Sequence, residues 1–185
     1  MSPRVFIGWF VVTFATAAFA LGLGLSRETS TFDPLERVPV FEALRGDPDS
    51  VAKVDVRSRF GEFSIVRGGS GWVSPDRSDY PVDEASVRRL IAGLADMRYI
   101  ERKTSNPERF VRLEVQDIDA ELSDSAHVKV SNAQDEVLAD IIVGRPSARF
   151  FDGRVSGTYI REPGTNNVWL VSGVTNVQTR LVPWL

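Results

Sequence analysis

Cysteine is absent from the 185 residues. That excludes disulfide frameworks, thiolate nucleophiles, iron–sulfur clusters and cysteine-ligated zinc, while leaving the compartment open. Lysine is scarce: of 22 basic residues only Lys53, Lys103 and Lys129 are lysine, the rest being arginine. Arginine favours bidentate anion recognition, but a chain-wide bias is also what a GC-rich genome produces. Histidine occurs once, as His127, so any imidazole chemistry rests on that side chain, and its place before Val128-Lys129-Val130 fits a structural or surface histidine. The net charge of −3 lacks the positive excess that nucleic-acid binding needs. Repeats and low-complexity tracts are missing as well.

Phosphate loops and nucleophile elbows are also missing. Gly68-Gly69-Ser70-Gly71-Trp72 has Trp72 where an elbow needs its last glycine, and it lacks the Gly-Lys-Ser/Thr of a phosphate loop. A hairpin turn fits it better. Asp47/Asp49 and Asp117/Asp119 are closely spaced carboxylates without the central glycine and terminal glutamate of a calcium loop. No catalytic, cofactor-binding or metal residue is assigned, and none of the 25 acids stands out as half of a glycosidase pair.

One long apolar run is present. Val5–Leu25 contains no charged residue, and as a helix it would span about 31 Å, close to the hydrocarbon thickness of a bilayer. Arg4 and the terminal amine precede it, and mixed charges follow (Arg27, Glu28, Asp33, Glu36, Arg37). The expected topology is a single-pass inner-membrane anchor with the N-terminus in the cytoplasm and the remainder outside it. Ala18-Phe19-Ala20 fits a signal-peptide cleavage site, but the apolar run continues to Leu25, which favours an uncleaved anchor. Residues 1–25 are therefore expected to form cytoplasmic tip and anchor, the proline-containing stretch 26–50 a tether with one helical turn around Leu35–Leu44, and 51–185 an extracytoplasmic domain.

Within that domain, period-2 alternation predicts strands at Ala52–Arg57 and Glu62–Arg67, with a third at Trp72-Val73. The strongest helix follows Pro81, with Asp83 as N-cap and a Val87, Leu90, Ile91, Leu94, Met97 stripe. A strand at about Arg98–Lys103 and a helical turn in Asn106–Arg112 follow. An antiparallel meander is predicted from His127–Val130, Glu136–Val143, Ala148–Phe151, Thr158–Arg161 and Val168–Val171, with turns at Ser131-Asn132-Ala133, Gly144-Arg145-Pro146, Asp152-Gly153 and Pro163–Asn167. The fold class is α+β: a small, mostly antiparallel sheet with one principal amphipathic helix.

The stretches FSIVRGGSGWVSP, YPVDEASVRRLIAGLADMR and VLADIIVGRPSARFFDGRVSGTYIREPGTNNVWLVSG resemble the DUF4340 family of bacterial envelope proteins over roughly Val51 to Gly173. The resemblance implies one N-terminal transmembrane helix and an accessory role, in some members beside ABC-type transport components linked to gliding motility. It brings no catalytic residues. Many members are longer, and the apolar ending Leu181–Leu185 is unusual for a free tail, so a short or C-terminally truncated member is expected.

One cluster stands apart. Between Gly144 and Arg161 lie Arg145, Arg149, Arg154 and Arg161 against Asp152 alone. Alternation sets Tyr159 and Arg161 on one strand face, so these five residues (Arg145, Arg149, Arg154, Tyr159, Arg161) form a candidate contact surface for an anionic glycan, a lipid headgroup or an acidic partner. The alternative is a charged sheet edge that discourages aggregation. The expected function is a non-catalytic, membrane-anchored accessory that binds ABC-type transport or envelope subunits. A glycan- or headgroup-binding module comes second and a hydrolase with paired carboxylates third.

Overall fold

A computed structural model describes residues 38–147, 157–173 and 177–185. The expected anchor, Arg149, Arg154 and the strand expected at Ala148–Phe151 lie outside the described residues. Within them, no helix is long and apolar enough to cross a membrane.

The expected α+β class is observed. Strands β1 (Val51–Ser58), β2 (Gly61–Gly68), β3 (Gly71–Ser74), β4 (Tyr80–Pro81), β5 (Arg98–Thr104), β6 (Ala126–Asn132), β7 (Val137–Pro146), β8 (Thr158–Arg161) and β9 (Val168–Ser172) form one sheet in the order β4-β3-β2-β1-β6-β7-β8-β9-β5. Every pairing is antiparallel. The predicted meander is present as β6–β9, and a second meander, β1–β4, joins it through β1 and β6. On β1 the alternation works as expected: Val54 and Val56 are buried on the core face, while Asp55 and Arg57 face away.

Helix α1 covers Glu42–Gly46, α2 Glu84–Ala95 and α3 Phe110–Leu113. Asp83 caps α2 as its position predicts, its carboxylate accepting from the Ala85 and Ser86 amides. All five stripe residues are at most 6% exposed. At about 1.5 Å per residue α2 is roughly 18 Å long. It nevertheless touches β3 near one sheet edge and, at its far end, approaches Gly173 just after β9 through the Gly93 carbonyl and Met97. Six strand spacings of about 4.8 Å separate β3 from β9 in a flat sheet, so the sheet must bend around the helix. The main core fills that concavity with Val54, Val56, Ile65, Leu94, Ile141 and Trp184 among others. A smaller core of Phe110, Val115, Ile142 and Val168 covers part of the opposite face.

Two expectations need correction. From Val38 onward the expected tether is part of the domain: Pro39 bridges Arg98, Val40 N–H donates to the Met97 carbonyl at 2.9 Å, and Leu44 is fully buried. The ending is also docked. Trp184 is 2% exposed, packs 6.3 Å from Phe63, donates Nε1–H to the Gln178 carbonyl, and accepts the Asp83 N–H on its own carbonyl at 2.6 Å. Its apolar character therefore has a local cause, the covering of the core beside the α2 N-terminus. The second correction is at Gly144-Arg145-Pro146, where β7 runs through the predicted turn. Gly144 serves close approach there: a Cβ would clash with the Leu113 carbonyl and stand 2.6 Å from Val115 Cγ1.

Candidate functional site

The structure divides the expected arginine surface. Arg145 is exposed near the end of β7. Tyr159 is half-buried against the smaller core. Arg161 shares its strand face, as alternation predicts, but that face is covered and Arg161 is only 2% exposed. Its Nε donates to the Val115 carbonyl at 2.8 Å, Nη1 to the Thr165 carbonyl at 2.9 Å and Nη2 to Asp117 Oδ1 at 2.5 Å. Its guanidinium also lies 4.8 Å from the Phe110 ring centroid. Every branch of the fork is engaged, so Arg161 anchors the segment after α3 and is withdrawn from the contact surface. Strand alternation names a face without saying whether a distant segment covers it.

Of the spaced acids, Asp117 and Asp119 are likewise engaged. Asp117 holds Arg161, and Asp119 meets Arg57 at 3.1 Å. His127 Nε2 lies 2.6 Å from Asp140 Oδ1 across β6 and β7, a cross-strand clamp on the face away from the main core. Among the described residues no three His, Cys, Asp or Glu side chains converge to hold a metal ion. Gly68–Gly71 is the turn of the β2–β3 hairpin, with Gly71 at φ +128°.

The described residues also form a groove of about 700 Å³. It lies between α2, the chain after α1, and the β2–β3 hairpin, and Ile91, Ala92, Ala95, Pro48 and Trp72 supply its apolar lining. Three arginines (Arg45, Arg67, Arg88) and three acids (Asp49, Glu84, Asp96) complete it. Arg67 stacks 5.1 Å from the Trp72 centroid and donates to the Asp49 carbonyl at 2.9 Å. Arg88 donates to Glu84 one turn back at 2.5 Å. That bond, with the attraction of Glu84 and Asp49, raises its pKa above the ordinary guanidinium value. Sequence reasoning missed the groove because its residues come from three separate segments. The wet face of α2 signalled only that Arg88 would be exposed.

The family model "Domain of unknown function (DUF4340)" matches residues 72–181, which is more than half of the chain. The chain belongs to this family. The DUF4340 match begins at β3 and leaves out β1, although β1 is the strand that joins the two meanders. No curated protein and no solved structure matches the chain.

Proposed function

We propose that this DUF4340 protein is a membrane-anchored, extracytoplasmic binding domain that serves as a non-catalytic accessory of an envelope assembly, with an ABC-type transport complex as the leading case. The groove carries this reading. Its apolar floor and balanced charged rim suit a segment of another polypeptide, with apolar contact for affinity and paired charges for register. The charge-free Val5–Leu25 run supports attachment to the membrane.

Ala92 is exposed on the groove wall, so Ala92→Arg fills the groove without touching the core. Purification of the full chain in mild detergent should recover transport or envelope subunits, and Ala92→Arg should lose them while folding normally. A protein that remains solitary, or a partner set indifferent to Ala92→Arg, refutes the proposal.

A further inference from the structure

The connection between β1 and β2 is two residues long, Arg59-Phe60, a place where glycine and asparagine are usual. Phe60 is 49% exposed there. Two guanidiniums flank its ring, Arg59 at 4.8 Å and Arg180 at 4.3 Å from the centroid. Arg59 is also paired with Asp124 at 2.8 Å, but no anionic partner of Arg180 is found among the described residues. The Arg59–Asp124 pair brings in the loop that carries Leu122. That leucine is 80% exposed and held at φ +55°, a conformation costly for a non-glycine residue. An exposed, arginine-flanked phenylalanine, tied through Asp124 to a loop that displays a large apolar side chain on a strained backbone, is a built surface feature.

The ladder shows where this tip points. From Ser58 the register runs through Ala126, Val143, Ile160 and Trp169 to Arg102. Phe60 lies two residues beyond Ser58, and Tyr99 lies three residues beyond Arg102 toward the same end of the sheet. Val38 accepts the Tyr99 N–H on its carbonyl. The described chain therefore begins at the end of the sheet that carries Phe60, and the twelve residues 26–37 that follow the apolar run reach at most about 40 Å. Arg145 is exposed toward this end as well.

We infer that the Arg59-Phe60 tip, with Arg180 and Leu122, docks into the interface of a bilayer containing anionic phospholipid, the Phe60 ring and Leu122 entering the headgroup region while the arginines meet phosphates. This rests on the membrane-anchored reading proposed above. Guanidiniums bind phosphate bidentately, Phe and Leu side chains of peripheral segments bury at the headgroup/acyl boundary, and anionic lipid attracts cations near the surface. Docking would orient the domain on its membrane and so fix where the groove faces.

The lack of cysteine permits single-site labelling. Phe60→Cys and Val137→Cys replace residues of equal exposure, 49% each, at opposite ends of the sheet. Each full-length variant, carrying an environment-sensitive fluorophore, is reconstituted in vesicles with about one-third phosphatidylglycerol and nitroxide-labelled lipid. The expected result is quenching at position 60 several times that at 137. Raising salt to about 0.5 M or adding Arg180→Glu should reduce it. Equal quenching at both positions, or none at 60 in protein that floats with the vesicles, overturns the inference and leaves the tip to a protein partner. Protein that does not float at all overturns both the anchor and the docking.

Discussion

Arg161 and Asp117 form an ion pair at 2.5 Å in which the two partners differ sharply in exposure, 2% for the arginine and 70% for the aspartate. The pair therefore has a buried and a solvated end. Arg161 also satisfies two backbone carbonyls, from Val115 and Thr165, whereas Asp117 retains access to water. Removing either partner should thus give unequal effects.

Arg161→Met strips donors from two carbonyls and leaves Phe110 without its cation, and should destabilise the domain by about 3 kcal/mol. Asp117→Ala keeps both carbonyl contacts but leaves the buried guanidinium without its counter-ion, and should cost less, about 1–2 kcal/mol. Urea unfolding of both variants measures the asymmetry, and equal losses would contradict the assignment of Arg161 as an internal anchor.

Trp184→Ala should lower stability by about 3–5 kcal/mol, the range for an aromatic removed from a core. A loss below about 1 kcal/mol, the scale of a surface substitution, would show that the ending is not docked in solution. The emission of Trp184, buried beside Phe63, should shift to the red when the ending is released.

Asp83 supplies a pH dependence. The Ser86 hydroxyl at 2.5 Å and the Ala85 and Ser86 amides stabilise its charged form, against some desolvation, and hold its pKa below the ordinary 3.8. A folded-state pKa depressed in this way means that the unfolded chain takes up its proton first as pH falls. Its contribution is complete above about pH 4 and is lost on further acidification through the folded value. The stability of Asp83→Asn should consequently fall less steeply than the wild type's below pH 4, as followed by thermal melts across pH.

Gly144→Ala places a methyl group against the Leu113 and Glu114 carbonyls and Val115. The loss should be about 1–3 kcal/mol, as for overpacking elsewhere. Gly69→Ala, where a Cβ meets nothing within 4 Å, is the matched control and should melt close to the wild type.

Where one short segment carries all the information, the sequence is a good guide. The α2 stripe and its Asp83 cap are set by a helical period and a single side-chain bond within four residues. Strands β1, β2 and β6 show because one face of each is wet, so hydrophobicity alternates. Gly144 misleads for a physical reason: glycine serves turns and close approaches alike, and only the neighbour at Leu113 distinguishes them. Arg161 misleads similarly, since burial of its face depends on a segment more than forty residues earlier. Arg145 keeps the exposure expected of it, and Arg149 and Arg154 lie outside the described residues.

By itself the sequence determined the class of the domain, the placement of most of its strands and its single long helix, and the thiol-dependent chemistries that a chain without cysteine excludes. Those properties follow from composition and local periodicity, which need no knowledge of distant partners. Tertiary structure alone decided that β1 joins the two meanders, that the 38–50 segment and Trp184 close the core, that Arg161 faces inward, and that three separate segments converge on one groove. Each of these depends on contacts between residues far apart in the chain, where the free energy of burial belongs to the assembled sheet and to no single segment.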